Sequence, residues 1–165
     1  MGCEPTAARN ALVAIDGSEG ARCALAHAIE LAHAGRGRLT LLTVVPPVPW
    51  AQPGVMAAYD PRTIEEAVAD QLRAAAAEVP DDVPVTTMLV RGHTVAEIVR
   101  CATKGNHDVL VLGCEGHGPL GGALGGVSHR VKRHCRDGEF SVVVVRVPPA
   151  DRVPADTLQD NADQA

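Results

Sequence analysis

Aromatic side chains and positive charge are both scarce in this 165-residue chain. Only 2% of its residues are aromatic, and its formal net charge is −5. Proteins that bind nucleic acid usually present a basic face with aromatic side chains for base stacking, so these features argue against that class. The length predicts one domain. Its core must be built from Val, Leu, Ile and Ala, which is typical of buried parallel strands covered by helices.

Long apolar runs and paired cysteines are missing as well. The first ten residues hold no apolar signal core, and no run reaches membrane-spanning length, so we expect neither a leader peptide nor a membrane anchor. The five cysteines are odd in number, widely spread and without a Cys-x-x-Cys pair. This usage predicts reduced thiols in a cytoplasmic protein.

Short apolar runs alternate with helical patterns along the chain. Strands are predicted over residues 11–15, 39–45, 84–90, 108–112 and 141–147. Helices are predicted over about 19–34, from Pro61, from Thr94 and from Val127 to about Cys135. With right-handed crossovers, this order gives an α/β fold: a doubly wound, Rossmann-like, five-stranded parallel sheet of order 3-2-1-4-5 with helices on both faces. We expect an N-terminal extension (1–9), the domain (10–147) and a disordered, Pro- and Asp-containing tail (148–165).

Local signals mark several helix ends. Ser18 is predicted to cap the first helix, and Gly35 to end it. The sequence Thr94-Val-Ala-Glu97 fits a capping box that opens the third helix.

A glycine-rich stretch follows the predicted fourth strand. Seven glycines fall within residues 113–126. Ligands of parallel α/β sheets usually bind at the loops after the carboxyl ends of strands. Glycine leaves backbone N–H groups open to an anion, and the N-terminus of the next helix adds positive potential. The stretch therefore predicts a site for the phosphates of a nucleotide.

Asp16 follows the first predicted strand and has two interpretations. It is either a turn residue that starts a helix or a ligand-binding carboxylate, since strands one and four flank the crevice where a doubly wound sheet reverses direction. There it could accept hydrogen bonds from an adenine amine or a ribose hydroxyl, or hold a divalent ion.

Several motifs together resemble one known family. They are Val13-Ala-Ile-Asp-Gly-Ser18, Leu41-Leu-Thr-Val-Val45, Gly113-x-x-Gly116, Val127-Ser-His-Arg-Val131 and Val142-Val-Val-Val145. In this order they resemble the nucleotide-binding branch of the universal stress proteins, over about residues 10–147. The resemblance implies an ATP site, with Mg²⁺ as a further candidate. It would place Ala14, Ile15, Asp16 and Val44 around adenine and ribose, Gly113 and Gly116 beside the ribose and first phosphates, and Gly125, Gly126, Val127 and Ser128 at the phosphates.

The chain departs from that family pattern at the phosphate loop. Two alignments with the family pattern are open. In the first, nine residues separate Gly116 from Gly126, but Val127 follows where the family has a hydroxyl residue. In the second, which aligns the helix, Gly126 stands at the position of the hydroxyl residue. Ser128 is the candidate substitute. Glu115 stands where the family often has His, and no Lys or Arg lies between Lys104 and Arg130. Weaker nucleotide binding, or none, is therefore an open alternative.

Other chemistry finds little support. Glu115 and His117 fit exposed loop residues better than an acid–base pair. His129 and His134 are five positions apart, which does not suit a shared metal ion on a helix. No base or arginine finger is recognisable, so hydrolysis of ATP would be slow at most. The loop 46–60 either folds its apolar residues onto its own surface or forms a lid or a partner-docking site.

The last predicted strand, 141–147, should lie at an edge of the sheet. An open apolar edge invites aggregation, so native proteins cover or pair it. Pairing with the same strand of a second copy would bury it with two-fold symmetry, and universal stress proteins commonly dimerise in this way. We therefore expect a homodimeric nucleotide-dependent regulator with an unidentified protein partner. The alternatives are a nucleotide-free dimer that acts by protein contacts, or an enzyme of the wider nucleotide-binding α/β class.

Overall fold

Five short apolar stretches, rich in Val and Leu, form one parallel sheet. The computed structural model describes residues 5–47, 61–114, 124–135 and 140–147. Its strands are β1 (Asn10–Ala14), β2 (Arg38–Val45), β3 (Val85–Arg91), β4 (Val109–Gly113) and β5 (Ser141–Val145). Its helices are α1 (Glu19–Gly35), α2 (Pro61–Ala77), α3 (Thr94–Lys104) and α4 (Leu124–His134). The predicted tail 148–165 and the loop from residue 48 to 60 lie outside the described residues.

The strands are ordered β3-β2-β1-β4-β5. Each neighbouring pair is parallel. The predicted fold class and strand order are confirmed, and so is the edge position of β5. The other edge of the sheet is β3.

Alternate side chains of β1 and β4 enter two separate apolar clusters. Val13 and Val111 pack with α1 and α2 on one face of the sheet, whereas Leu12 and Leu110 pack with α3 and α4 on the other. All four side chains are fully buried. Because a strand side chain points to opposite faces at successive positions, a sheet covered on both faces reads as a continuous apolar run.

The first helix begins as predicted and ends one residue later. The Ser18 side chain accepts a hydrogen bond from the amide of Ala21, so Ser18 is the N-cap. At the other end, Arg36 rather than Gly35 takes the left-handed conformation, with φ of 50°. Gly35 is needed for packing instead: a Cβ there would lie 2.6 Å from the carbonyl carbon of Ala8.

The residues that precede β1 are part of the domain's packing. Ala8 is 1% exposed, and its amide donates to the carbonyl of Leu31 at 2.8 Å. The amides of Arg9 and Asn10 donate to the Asp108 carboxylate at 2.8 and 3.0 Å. The segment predicted as an extension is therefore held against α1 and β4 from Ala8 onward.

The predicted capping box at the start of α3 is wrong. His93 is the N-cap, and it makes no side-chain capping hydrogen bond, so Thr94 is already the first helical residue. The Glu97 side chain instead bonds to Arg100, three residues further along the helix, whose Nε donates to its carboxylate at 2.8 Å. That hydrogen bond and charge raise the pKa of the Arg100 guanidinium above its ordinary value. The i,i+3 ion pair has replaced the reach back to the helix start.

Within the described part of the chain, no helix has both the length and the apolar character needed to cross a membrane.

Candidate functional site

The connections that leave the sheet diverge between β1 and β4. β1 pairs with β2 on one side and with β4 on the other. The helix after β1 covers one face of the sheet and the helix after β4 covers the other. Such a divergence leaves a crevice at the carboxyl ends of the strands, which is where open α/β sheets bind ligands. Four of the predicted site residues lie at these carboxyl ends: Ala14 and Asp16 at the end of β1, Val44 of β2 and Gly113 of β4.

Asp16 organises the turn between β1 and α1. Its Oδ1 accepts hydrogen bonds from the Ser18 amide at 3.0 Å and from the Ser18 hydroxyl at 2.5 Å. Ser18 Oγ in turn accepts from the Ala21 amide at 3.1 Å. Among the described residues, no donor is within hydrogen-bonding distance of the second oxygen, Oδ2. The turn interpretation of Asp16 is thus confirmed for one oxygen, and the half-buried carboxylate still has one acceptor for a ligand.

The backbone of Ile15 is held by hydrogen bonds at both its amide and its carbonyl. Its amide donates to the Leu42 carbonyl at 2.8 Å, and its carbonyl accepts from the Thr43 hydroxyl at 2.9 Å. Its side chain enters the cluster under α1, with Leu25, on the face opposite to Ala14 and Val44. Ile15 therefore fixes the position of Asp16 more directly than it offers a surface to a ligand. Sequence reasoning missed Thr43, because a Thr inside a strand gives no signal of its partner.

Ala14, Val44 and Val127 form the apolar part of the predicted site. Ala14 and Val44 are buried in the cluster on the α3–α4 face, and Val127 packs against that cluster, partly exposed. The structure brings together three residues that lie far apart in the sequence. Ala14 and Val44 are only 7% and 8% exposed, so the partly buried Val127 has the largest exposed fraction of the three.

Gly113 has a structural reason to be glycine. It is the last residue of β4, and a Cβ on it would lie 2.6 Å from the carbonyl oxygen of Gly20 in the first turn of α1. Two glycines thus allow β4 and α1 to pack backbone against backbone. The predicted role of Gly113 beside a ribose is not needed to explain it.

The helix after the glycine-rich stretch begins three residues earlier than predicted, at Leu124 rather than Val127. Gly125 and Gly126 therefore belong to its first turn. The first four amides of a helix have no intrahelical acceptor, so the amides of residues 124–127 are the candidate anion donors. The amide of Ser128 comes fifth in α4, where it pairs inside the helix.

Gly126 and Ser128 differ sharply in their surroundings. Gly126 is exposed, and a Cβ on it would meet nothing within 4 Å. The Ser128 side chain is only 6% exposed, on the inner side of α4 next to Val127 and Val131. The predicted substitute hydroxyl therefore points into the protein, while Gly126 faces outward. Gly116, Glu115 and His117 lie outside the described residues.

The cysteine thiols on the α3–α4 face of the sheet are not activated as nucleophiles. Cys101 and Cys135 both pack in the cluster on the α3–α4 face, and burial raises the pKa of each thiol above its ordinary value. The cysteines that the structure describes are free thiols. Within that same part of the chain, no three His, Cys, Asp or Glu side chains converge to hold a metal ion.

A cavity lies on the other face of the sheet from Ala14 and Val44. It has a volume of about 350 Å³ between the start of α1 and the later turns of α2, with Ile15, Leu25 and Ala75 among its lining residues. Gln71 borders it, and a Cβ on Gly17, which has φ of 78°, would lie 2.8 Å from Gln71 Oε1. Sequence reasoning missed this cavity because the spacing between two helices leaves no local pattern.

Several solved structures are similar to this chain. A protein from the universal stress protein family of Burkholderia pseudomallei is 28% identical with a TM-score of 0.61, over 82% of this chain and 94% of that one. A universal stress protein in complex with cAMP is 22% identical with a TM-score of 0.59, over 85% of this chain and 98% of that one. The universal stress protein of Archaeoglobus fulgidus in complex with dAMP is 18% identical with a TM-score of 0.60, over 82% and 96%.

A search of curated protein sequences finds no significant match. The family profile described as "Universal stress protein family" matches residues 7–146, which is most of the chain and the whole of the sheet. With the fold and the strand order in agreement, the chain belongs to the universal stress protein family.

Proposed function

We propose that this protein is a cytoplasmic regulator of the stress response that binds an adenine nucleotide, with ATP as the first candidate, in the crevice between β1 and β4. One observation carries the proposal: Gly126 is exposed in the first turn of α4, and no described residue outside that helix comes within 4 Å of the position of its missing Cβ. Glycine inside a helix is about 1 kcal/mol less favourable than alanine. Packing does not require it there, whereas the close approach of a phosphate to the backbone would.

The other parts of the crevice suit the remaining parts of a nucleotide. The cluster that includes Ala14, Val44 and Val127 offers an apolar surface for a base, and Asp16 Oδ2 is an acceptor for an amine or a ribose hydroxyl. The amides at the start of α4 would donate hydrogen bonds to a phosphate. Two structures of the same fold were solved with cAMP or dAMP, which supports an adenine ligand without choosing among its phosphate forms.

A Mg²⁺ ion would accompany a bound triphosphate. Magnesium sites at phosphates commonly use one or two carboxylates together with phosphate oxygens and water. Asp16 Oδ2 would serve such an ion instead of the amine or the ribose hydroxyl. The protein would then contribute one ligand, and the phosphates and water the rest.

Thermal unfolding with and without ATP and Mg²⁺ tests the proposal. A ligand at 100 times its Kd stabilises the folded state by about 2.7 kcal/mol. We expect a clear rise in Tm for the wild-type chain and a weaker one for Gly126→Gln, whose affinity should fall at least tenfold because the new side chain occupies the approach to the α4 amides. Gln is a good helix former, so this variant should remain folded.

Thr103→Gln is the matched control, because Thr103 is exposed on α3. It receives the same side chain away from the crevice and should keep the full wild-type rise in Tm. A wild-type chain whose Tm does not change at millimolar ATP would contradict nucleotide binding.

The second candidate function is a nucleotide-free dimer that acts through protein contacts. The burial of Ser128 favours it, because the side chain expected to replace the family's phosphate ligand lies on the inner side of α4. Unchanged melting in ATP, together with a stable dimer in solution, would support this alternative.

We also propose that two copies pair through β5. This edge strand is uncharged over its five residues, and Val142, Val144 and Val145 are only partly buried. The mass of the full chain by sedimentation should be that of a dimer, and Val144→Lys should reduce it because each copy would bring a charge to the shared edge. Thr87→Lys on β3, the opposite edge, is the matched control and should leave the β5 dimer intact.

A further inference from the structure

The cavity between α1 and α2 has the size and the walls of a small-molecule site. Its volume is about 350 Å³, and ligand sites in proteins commonly measure about 300 to 1,000 Å³. Ile15, Ala21 and Leu25 line it and are each no more than 6% exposed. Ala74 and Ala75 line it on the α2 side. The cavity is therefore walled mainly by apolar side chains.

Gln71 brings a polar group to this apolar cavity. Its side chain is partly buried, and among the described residues it has no hydrogen-bond partner. The carboxamide lies against Gly17, since a Cβ on that glycine would be 2.8 Å from Gln71 Oε1 and 3.1 Å from Nε2. A carboxamide has an acceptor oxygen and two N–H donors. Gln71 can therefore either accept a hydrogen bond from a ligand in the cavity or donate one to it.

Ser18 is the other uncharged polar side chain in the described lining, and it is already engaged. Its hydroxyl donates to Asp16 Oδ1 at 2.5 Å and accepts from the Ala21 amide at 3.1 Å. The Gln71 carboxamide is thus the main hydrogen-bonding group that the cavity offers to a ligand.

The two charged residues of the described lining neutralise each other. Arg22 of α1 and Glu78, which follows α2, form an ion pair with 3.8 Å between Nε and Oε1. Their side chains are 72% and 49% exposed, so the pair lies on the solvent side of the cavity. A charged ligand would give up hydration without gaining an unpaired counter-charge. The cavity therefore favours a neutral molecule.

We propose that the cavity between α1 and α2 is a binding site for a small, neutral, largely apolar molecule whose one hydrogen-bonding group, an amine N–H or a hydroxyl, pairs with the Gln71 carboxamide. Burial against the apolar walls supplies most of the affinity, and the carboxamide fixes the orientation. The site is separate from the proposed nucleotide site, because its lining packs under α1 whereas Ala14 and Val44 lie on the other face of the sheet.

Binding of a neutral fluorescent probe to the full chain tests the proposal. The probe is N-phenyl-1-naphthylamine, which is apolar, carries one N–H donor and fluoresces more strongly when it leaves water. We expect saturable binding of one probe per chain in the absence of nucleotide. Ala75→Met should weaken binding at least tenfold, because the longer side chain fills part of the cavity. Met is a good helix former that adapts to gaps, so this variant should remain folded.

Ala67→Met is the matched control, because Ala67 is exposed on the same helix and does not line the cavity. It receives the same side chain away from the site and should bind the probe like the wild type. Equal binding by Ala75→Met would overturn the proposal, because the probe would then lie elsewhere on the protein. Absence of saturable binding would overturn it too, because the cavity would then be closed to small molecules.

A second comparison tests the contact with Gln71. In 1-benzylnaphthalene a CH₂ group replaces the N–H of the first probe, and its affinity is measured by displacement of that probe. The preference for the N–H probe over this analogue should fall about fivefold in Gln71→Met, which loses one neutral hydrogen bond but keeps the length of the side chain. An unchanged preference would overturn the proposed class of ligand. Neither measurement involves ATP, so both outcomes are independent of the test of the proposed function.

Discussion

Two glycines at the crevice, Gly113 and Gly126, carry opposite structural meanings. Gly113 closes β4 against the first turn of α1, and its missing Cβ would meet the backbone of Gly20. Gly126 stands exposed in α4, and a Cβ on it would meet no described residue outside that helix within 4 Å. The sequence alone assigns both to ligand binding. Their surroundings show that the first is required by the fold, whereas the described surroundings of the second give no packing reason for a glycine.

The largest expected effect is that of Gly113→Ala. The added methyl group would overlap the Gly20 backbone, which has no flexible end that can move aside. Overpacking a buried position typically lowers the free energy of unfolding by about 1–3 kcal/mol, and we expect the upper end of that range. Urea denaturation measures it. A loss below about 1 kcal/mol would show that β4 and α1 separate easily.

Replacing Asp16 should have an intermediate effect on stability. Two different substitutions should separate the roles of its two carboxylate oxygens. Asp16→Ala removes both hydrogen bonds of Oδ1 to Ser18 and should lower the free energy of unfolding by about 1–2 kcal/mol. Asp16→Asn keeps an acceptor oxygen for that turn, so its unfolding should resemble the wild type. Its affinity for ATP with Mg²⁺ should nevertheless fall about tenfold, because the charge of Oδ2 is gone.

Titration of the two Asp16 variants with ATP and Mg²⁺ separates these roles. If Asp16→Asn binds as tightly as the wild type, the carboxylate serves the turn alone. If it unfolds as readily as Asp16→Ala, the turn depends on the charge rather than on an acceptor.

The fold was accessible from the sequence because each strand is a short apolar run bounded by turn residues. Predicted strand ends differ from those observed by two residues at most, and Ser18 is the N-cap that its residue type suggests. Strand order followed from the handedness of crossovers and from the family resemblance, since both place β1 and β4 side by side.

The site was less accessible, because its details depend on contacts between distant segments. The sequence around Gly113 does not indicate that this residue packs against Gly20. The residue type of Thr43 does not indicate that its hydroxyl donates to the Ile15 carbonyl. The start of α4 was misplaced for a different reason. Two successive glycines favour a loop by propensity, but tertiary packing of Val127 and Val131 keeps them helical.

Gly126→Ala gives the smallest expected effect and the sharpest contrast with Gly113→Ala, because the same methyl group is added. With no contact to disturb and a helical backbone in place, the substitution should raise the free energy of unfolding by about 0.5–1 kcal/mol in the absence of nucleotide. Denaturation of the two variants under one set of conditions then gives changes of opposite sign. A destabilised Gly126→Ala would mean that this glycine serves the fold after all, and the reason to infer a phosphate beside it would be lost. A more stable variant that binds ATP less tightly is the result that the proposed ligand binding predicts, because departures from local structural preference are expected at functional sites.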